Sequence, residues 1–152
     1  MIINHIIITS GGQSGVDRAA LDFALNHGID CGGWCPSGRL AEDGVIPDHY
    51  PLCETATENP AERTRLNVEG ADGTLIIFQN SMDEGTHLTL QVVNELSKPA
   101  YIISINSLCD PAEFRGWLEA NNIKILNIAG PRESSSKGTY EFAARVLQEI
   151  LC

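Results

Sequence analysis

Residues 5–25 read HIIITSGGQSGVDRAALDFAL, and this stretch indicates the fold class. The β-branched run from His5 to Thr9 is typical of a short strand that is buried on both faces. A glycine-rich turn follows it, and apolar residues then recur at helical spacing until Gly28 ends the helix. A buried strand that leads through glycines directly into a helix is the repeating unit of parallel α/β domains.

The rest of the chain repeats this alternation of strand and helix. Further short apolar strands are predicted at residues 30–34, 74–78, 101–104 and 124–128. Two helices are predicted to begin where a capping residue precedes a proline, at Asn59-Pro60 and Asp110-Pro111. Two more are predicted to begin at Gly85-Thr86 and near Gly138. Five strands that each lead to a helix imply a Rossmann-like three-layer α/β/α fold around a five-stranded parallel sheet. No linker or internal repeat interrupts the pattern, so we expect residues 1–152 to form a single domain.

The composition is that of a globular protein with reduced cysteines. Hydrophobic residues make up 43% of the 152 residues, which is enough to bury a core, and no apolar run is long enough to span a membrane. The apolar start lacks the basic region and cleavage site of a signal peptide. The five cysteines have neither disulfide nor zinc-site spacing, so we expect free thiols, no metal site and a cytoplasmic location.

The charge of the chain argues against a general nucleic-acid partner. Twenty acidic and ten basic residues give a formal charge of −10, which repels a phosphate backbone. Several arginines nevertheless lie in or beside glycine- and proline-rich loops, namely Arg18, Arg39, Arg63, Arg65 and Arg132. They favour a local anion site over the alternative of scattered surface charges.

Unusual residues follow the predicted strands, where ligands bind in open parallel sheets. The loop Gly11–Arg18 could direct backbone amides at one phosphate, although it matches neither GxGxxG nor a Walker A loop. A tight turn without a ligand is the alternative. Gly85-Thr86 repeats the arrangement after the third strand, with plain helix capping as its alternative. If the first and third strands are neighbours, these two loops face each other across one crevice.

Two further loops carry charged residues that could contact a ligand. Arg132-Glu133-Ser134 could clamp an anion, or it could be a solvated loop that caps the last helix. Arg39, Glu42 and Asp43 lie in the long segment from Cys35 to Glu58, where they could recognise donors on a heterocycle or form a surface ion pair. The candidate binding residues are therefore Gly11, Gly12, Gln13, Ser14, Gly15, Asp17, Arg18, Arg39, Glu42, Asp43, Gly85, Thr86, Arg132, Glu133 and Ser134. No Ser/His/Asp or Cys/His arrangement indicates a catalytic site.

Four segments of the chain resemble the molybdenum cofactor carrier family. They are GGQSGVDRAALDFAL (11–25), GWCPSGRLAEDGVIPDHYPLCE (33–54), RTRLNVEGADGTLII (63–77) and NIAGPRES (127–134). That family belongs to a Rossmann-like group that also contains the lysine-decarboxylase-like phosphoribohydrolases and the DNA-processing protein A domain. The resemblance implies the strand order 2-1-3-4-5, a homo-oligomer, and binding of molybdopterin, a pterin with a phosphate tail. A cysteine ligand to molybdenum would be Cys35, which is nearest the expected site.

One departure from the relatives bears on catalysis. The phosphoribohydrolases carry a Gly-Gly-x-Gly-Thr turn that two further residues separate from a catalytic glutamate, and Thr89 stands at the position of that glutamate here. Glu84 precedes the turn and would be the acid or nucleophile only if the chain is a hydrolase. We therefore expect a non-catalytic carrier of the molybdenum cofactor or of a nucleotide-like phosphate ligand. The alternatives are a nucleotide phosphoribohydrolase, a nucleotide sensor and a single-strand nucleic-acid module.

Overall fold

A computed structural model of the chain describes residues 5–152. Five parallel strands form its central sheet: β1 (Ile7–Thr9), β2 (Cys31–Gly32), β3 (Gly73–Phe78), β4 (Ala100–Ser104) and β5 (Ile125–Ala129). Five helices cover it: α1 (Val16–Asn26), α2 (Pro60–Gly70), α3 (Glu84–Glu95), α4 (Pro111–Ala120) and α5 (Thr139–Leu151). The predicted Rossmann-like α/β fold is confirmed.

The helices lie on both faces of the sheet. The larger apolar cluster joins α1, α4 and α5 to one face, and a smaller cluster of Val68, Val92 and Val93 joins α2 to α3 on the other. The predicted caps form, since Asn59 accepts a hydrogen bond from Ala61 N at the start of α2. Asp110 does the same with Ala112 N at the start of α4. None of the helices in residues 5–152 is both long and apolar enough to cross a membrane.

The order of the strands differs from the expected 2-1-3-4-5. The sheet reads β2-β1-β5-β3-β4, so the last strand lies between the first and the third. The physical reason is burial: Leu126, Asn127 and Ile128 are almost completely inaccessible, and only an inner strand can bury consecutive residues on both faces. If β5 is numbered as the first strand and β1 to β4 follow it as the second to the fifth, the order becomes 3-2-1-4-5. This is the strand order of a doubly wound sheet.

This order decides where a ligand can bind. In a doubly wound sheet, the crevice opens between the two neighbouring strands from which the chain winds in opposite directions. Here those strands are β5 and β3, which pair through residues 126–129 and 73–76. The loops after β1 and β3 are therefore not neighbours, because β5 separates their strands.

The segment between β2 and α2 is ordered by its own small core. It contains two pairs of short strands, Trp34–Cys35 with Cys53–Glu54 and Leu40–Ala41 with Gly44–Val45. Cys35, Ile46 and Tyr50 pack with Leu21 of α1 in a second buried cluster. The segment is thus held against α1.

Candidate functional site

A pocket of about 620 Å³ opens beyond the carboxyl ends of β5 and β3. Its floor is formed by residues 127–130 at the end of β5. Residues 84–89 of α3 line one side, and residues of the first two turns of α2 line another. Gly11, Gln13 and Asp17 close it on the side of the glycine loop, with Arg132 and Ser135 at the edge. The pocket therefore lies at the crevice that the strand order predicts.

The N-terminus of α3 presents free donors to this pocket. Asp83 caps the helix, since its Oδ1 accepts from Thr86 N at 2.9 Å and from Thr86 Oγ1 at 2.6 Å. The amides of Glu84 and Gly85 are the first two of the helix, and neither has an acceptor within residues 5–152. Because the positive end of the helix dipole adds to these amides, this end of the pocket favours an anionic group.

Arg132 lies beside that helix end. Its backbone amide donates to Asp83 Oδ2 at 3.1 Å, which ties the loop after β5 to the start of α3. Its exposed guanidinium donates from Nε to Ser135 Oγ at 3.1 Å and lies 3.6 Å from Glu42 Oε1. The side chain keeps further N–H groups that a ligand anion could accept from.

A buried carboxyl group and a half-buried guanidinium line the pocket beside the glycine loop. Asp17 is only 8% exposed, and its Oδ2 accepts from Gln13 N at 3.3 Å. Arg63 donates from Nη1 to Gly11 O at 2.9 Å. A Cβ at Gly11 would lie 2.8 Å from Arg63 Nη1 and 2.9 Å from Asp17 Oδ2, so only glycine lets these two side chains approach the loop as they do.

The surroundings of Asp17 make its carboxyl group unusually weakly acidic. The pKa of Asp17 is raised to about 6, mainly through desolvation by burial, and the charge of Asp83 acts in the same direction. Arg63, the Gln13 amide and Arg18 act in the opposite direction without cancelling the effect of burial. A buried carboxyl with a displaced pKa in a cleft is a common mark of a functional group.

Three amides of the glycine loop donate to acceptors close by in the chain. Gly12 N donates to Ser10 Oγ, Gln13 N to Asp17 Oδ2 and Ser14 N to Gln13 Oε1. Gly15 has a φ of 80°, and a Cβ there would overlap Pro131 O and lie 2.9 Å from Glu133 N. Gly12 is also packed tightly, since its Cβ would lie 2.5 Å from Leu52 Cδ1. Close packing thus explains these glycines without a ligand.

Glu42 connects the glycine loop to the loop after β5. Its carboxylate accepts from the hydroxyls of Ser14 and Ser134 and from Ser134 N at 3.1 Å. Burial alone would raise the pKa of Glu42, but these hydrogen bonds and the charge of Arg132 hold it below its usual value. Glu133 faces the other way and caps α5, accepting from Gly138 N at 2.7 Å and from Tyr140 N at 3.0 Å.

The remaining predicted cations hold the long segment in place. Arg18 pairs with both oxygens of Asp43, at 3.1 and 3.2 Å, and also donates to Gly12 O. Arg39 donates to four carbonyl oxygens of its own segment, those of Ile46, Pro47, Tyr50 and Leu52. None of these three charged residues lines the pocket, and the fully buried Cys35 does not line it either.

The structure thus divides the predicted site residues into two groups. Those that line the pocket are Gly11, Gln13, Asp17, Gly85, Thr86 and Arg132, together with Glu84. Those that support the surrounding loops are Gly12, Ser14, Gly15, Arg18, Arg39, Glu42, Asp43, Glu133 and Ser134. Only some of the predicted residues therefore face the pocket, and their role in binding stays a prediction.

The candidate list omitted several residues that line the pocket. Asn127 is 3% exposed on the pocket floor, and its polar side chain within the apolar strand ILNIA was a usable signal. Asp83 follows the capping pattern, with a side chain that accepts from the third residue after it. Arg63 stood out only as one of the loop arginines, because its contact with Gly11 spans 52 positions of the chain.

Comparison with known proteins supports this architecture. The model of the circularly permutated YpsA SLOG family matches residues 8–151. A crystal structure from Syntrophus aciditrophicus SB, named "putative molybdenum carrier protein", is 39% identical to this chain, with a TM-score of 0.92. The match covers 98% of this chain and 97% of that one. No curated protein matches. A circular permutation agrees with the sheet, whose order becomes that of a doubly wound fold when it is counted from β5.

Proposed function

The chain belongs to the circularly permutated YpsA SLOG family, and we propose that it binds a phosphorylated heterocycle in the pocket without transforming it. The ligand is the molybdenum cofactor or a nucleotide-like molecule of similar size. The observation that carries this proposal is the chemical difference between two parts of the pocket. Free helix amides and Arg132 lie at the start of α3, and the buried Asp17 lies with the half-buried Arg63 beside the glycine loop. Such a site suits a ligand with an anionic group at one end and a polar ring at the other.

We place the phosphate at the start of α3. The amides of Glu84 and Gly85 are free to donate, and Arg132 adds a positive charge nearby. The glycine loop is the weaker candidate, because the amides of Gly12, Gln13 and Ser14 already donate to acceptors of the protein. In this proposal the loop contributes Gly11 and the Gln13 side chain to the wall beside the ring.

The pocket also suits molybdopterin as cargo. A volume of about 620 Å³ lies in the range of pockets that enclose small cofactors. A pterin with a phosphate tail has a group for each of these two parts of the pocket. The name given to the structure from Syntrophus aciditrophicus SB supports this identity. None of the five cysteines lines the pocket, so binding would depend on the ring and the phosphate rather than on a thiolate ligand to molybdenum.

The geometry disfavours a hydrolase. Thr89, at the position of the relatives' catalytic glutamate, is 5% exposed and donates from Oγ1 to Gly85 O at 3.1 Å. Glu84 lines the pocket but is exposed on the first turn of α3. We expect no release of base from nucleoside monophosphates. Release that disappears on Glu84→Gln would show that the protein is an enzyme.

The proposal is tested first by native mass spectrometry of protein purified without added ligand, with elemental analysis for molybdenum. A phosphorylated pterin with stoichiometric molybdenum would identify the cargo, and a phosphorylated nucleotide without metal would identify the other class. An empty protein that also binds no nucleoside or pterin monophosphate in calorimetry would contradict the proposal. The homo-oligomer implied by the resemblance stays a prediction, which light scattering on the same sample tests.

The position of the phosphate is tested by Arg132→Met. Because Arg132 offers a charge-assisted hydrogen bond, we expect affinity for any phosphorylated ligand to fall about tenfold. Arg145→Met is the matched control, since Arg145 is exposed on α5 and does not line the pocket. Equal affinities of the two variants would mean that the phosphate does not bind at this end of the pocket.

A further inference from the structure

We infer that Asp17 reads the ring of the ligand and selects a 2-amino-4-oxopyrimidine edge, the edge that guanine and pterin share and adenine lacks. This inference rests on the proposed function, because it assigns the ring to the side of the same pocket that holds Asp17 and Arg63. It adds the class of ring and the residue that determines the choice.

Asp17 has free hydrogen-bonding capacity. The carboxyl group lines the pocket and is more than nine-tenths buried. Its Oδ2 accepts one bond from Gln13 N, whereas Oδ1 accepts from no group within residues 5–152. An ionised carboxylate has about four acceptor positions and no donor. Asp17 can therefore take two adjacent N–H groups of a ligand.

The guanidinium of Arg63 provides a donor beside Asp17. Arg63 lies in the same wall, where its Nη1 and Nε donate to Gly11 O and Pro60 O. Its Nη2 has no acceptor within residues 5–152, so one N–H face of the guanidinium remains free. Two acceptor positions next to a donor complement a ring edge that offers two donors next to an acceptor.

The common heterocyclic rings differ in how well their edges complement this pattern. The 2-amino-4-oxopyrimidine edge presents an exocyclic amino group, a ring N–H and a carbonyl oxygen in a row. Adenine presents an amino group next to a bare ring nitrogen, which would face the carboxylate with a lone pair. Hypoxanthine keeps the ring N–H and the carbonyl but has no 2-amino group. A site that is built to hydrogen-bond a group rejects the analogue that lacks it, because its own polar atoms are left unpaired.

The surroundings of Asp17 predict how this selection depends on pH. The charged groups that act on it are Arg63 on α2, Arg18 on its own helix and Asp83 before α3. Burial is the largest influence and raises the pKa of Asp17 to about 6. Above that pH the carboxylate accepts both donors. Below it the protonated group accepts fewer, so the preference for the 2-amino group declines as the pH falls.

The test is the ratio of affinities for GMP and IMP, measured by calorimetry on the unmodified protein. The two nucleotides differ only in the 2-amino group, so the titration of their phosphates cancels in the ratio. We expect GMP to bind about tenfold to a hundredfold more tightly than IMP at pH 8, and AMP to bind no better than IMP. The ratio should fall towards one as the pH is lowered to about 5.

The variant Asp17→Asn identifies the residue responsible. The amide still accepts from Gln13 N, but it can no longer take both ligand donors, so the ratio for GMP over IMP should fall to within about threefold at every pH. Asp48→Asn is the matched control, because Asp48 is exposed and does not line the pocket. It should leave both the ratio and its pH dependence unchanged.

A second pair of ligands distinguishes the two sources of the ring. Neopterin monophosphate and its 2-deamino analogue repeat the comparison with a pterin. If the protein prefers the 2-amino compound only in the pterin pair, the natural ring is a pterin. If it does so only for GMP over IMP, the natural ring is a guanine. Equal binding of GMP, IMP and AMP, with equal binding of the two pterins, would overturn the inference and leave the proposed function intact. Failure of all of them to bind would overturn both.

Discussion

The glycine loop after β1 and the turn after β3 both connect a strand to a helix, yet their backbone amides differ in whether they have acceptors within the protein. In the glycine loop, the amides of Gly12, Gln13 and Ser14 donate to acceptors of the protein. In the turn after β3, the amides of Glu84 and Gly85 have no acceptor within residues 5–152. The loop that is richer in glycine is therefore the one in which three consecutive amides already have acceptors within the protein.

The neighbours of each loop explain this difference. Glu42 of the long segment and Pro131 of the loop after β5 both contact the glycine loop, through Ser14 Oγ and Val16 N. The turn after β3 is tied to the rest of the site mainly by Asp83, which uses its two oxygens for Thr86 and Arg132. Glycines can thus mark close packing between loops, and free amides are the better indication of a ligand site.

The largest effect is expected from Gly15→Val. A side chain there would overlap Pro131 O and would have to adopt a φ of 80°, so we expect a loss of more than about 3 kcal/mol in the free energy of unfolding. Gly85→Ala is the comparison in the other loop, because a Cβ there meets nothing closer than 3.9 Å. It should change stability by less than about 1 kcal/mol. Chemical denaturation measures both, and similar losses would remove the contrast between the loops.

The second effect comes from Asp17→Asn. The pKa of Asp17 is about 6 in the folded protein against an ordinary value of 3.8, so folding favours the protonated form. The contribution of Asp17 to stability is complete below pH 3.8 and is lost as the pH rises through about 6. The variant should therefore be more stable than the natural protein by up to about 3 kcal/mol at pH 8 and no more stable at pH 3.

Thermal unfolding across this pH range measures the effect of Asp17→Asn, with Asp48→Asn as the control that should show no such trend. A stabilisation that is equal at both ends of the range would mean that the buried charge is not its cause. Together with the ligand test, this result would show that the carboxylate costs stability and is retained for binding.

The smallest effect distinguishes two arginines that look alike in the sequence. Arg39→Met removes hydrogen bonds to four carbonyl oxygens and should lower the free energy of unfolding by about 2 kcal/mol. Arg132→Met should lower it by less than about 0.5 kcal/mol, because its side chain is exposed. Urea denaturation of both variants checks the difference. A larger loss for Arg132 would mean that it supports the fold rather than the ligand.

Local patterns in the sequence predicted most of the fold. Asn59-Pro60 and Asp110-Pro111 marked the starts of α2 and α4, because capping depends on residues that are adjacent in the chain. The position of β5 between β1 and β3 was not predictable in this way. Strand pairing joins residues that are far apart in the sequence, and only the two-sided burial of residues 126–128 hinted at an inner position.

The candidate site was predicted less completely, for a related reason. The loops were recognisable because glycines and arginines follow the strands. Whether an amide is free depends on acceptors elsewhere, as with Ser10 Oγ beside Gly12 N and the remote Glu42 beside Ser14 Oγ. Arg39 and Arg132 have the same chemistry and similar sequence surroundings, and only the tertiary contacts show that one is used inside its segment.

The central position of β5 also constrains how the chain folds during its synthesis. Translation delivers β1 to β4 before β5, so the two halves of the sheet have no strand to join them until residues 125–129 have left the ribosome. Every pairing of β5 spans a large separation in sequence, which predicts slow and cooperative folding. The pocket floor belongs to this same strand, so a nascent chain has no place for the ligand until its sheet is closed.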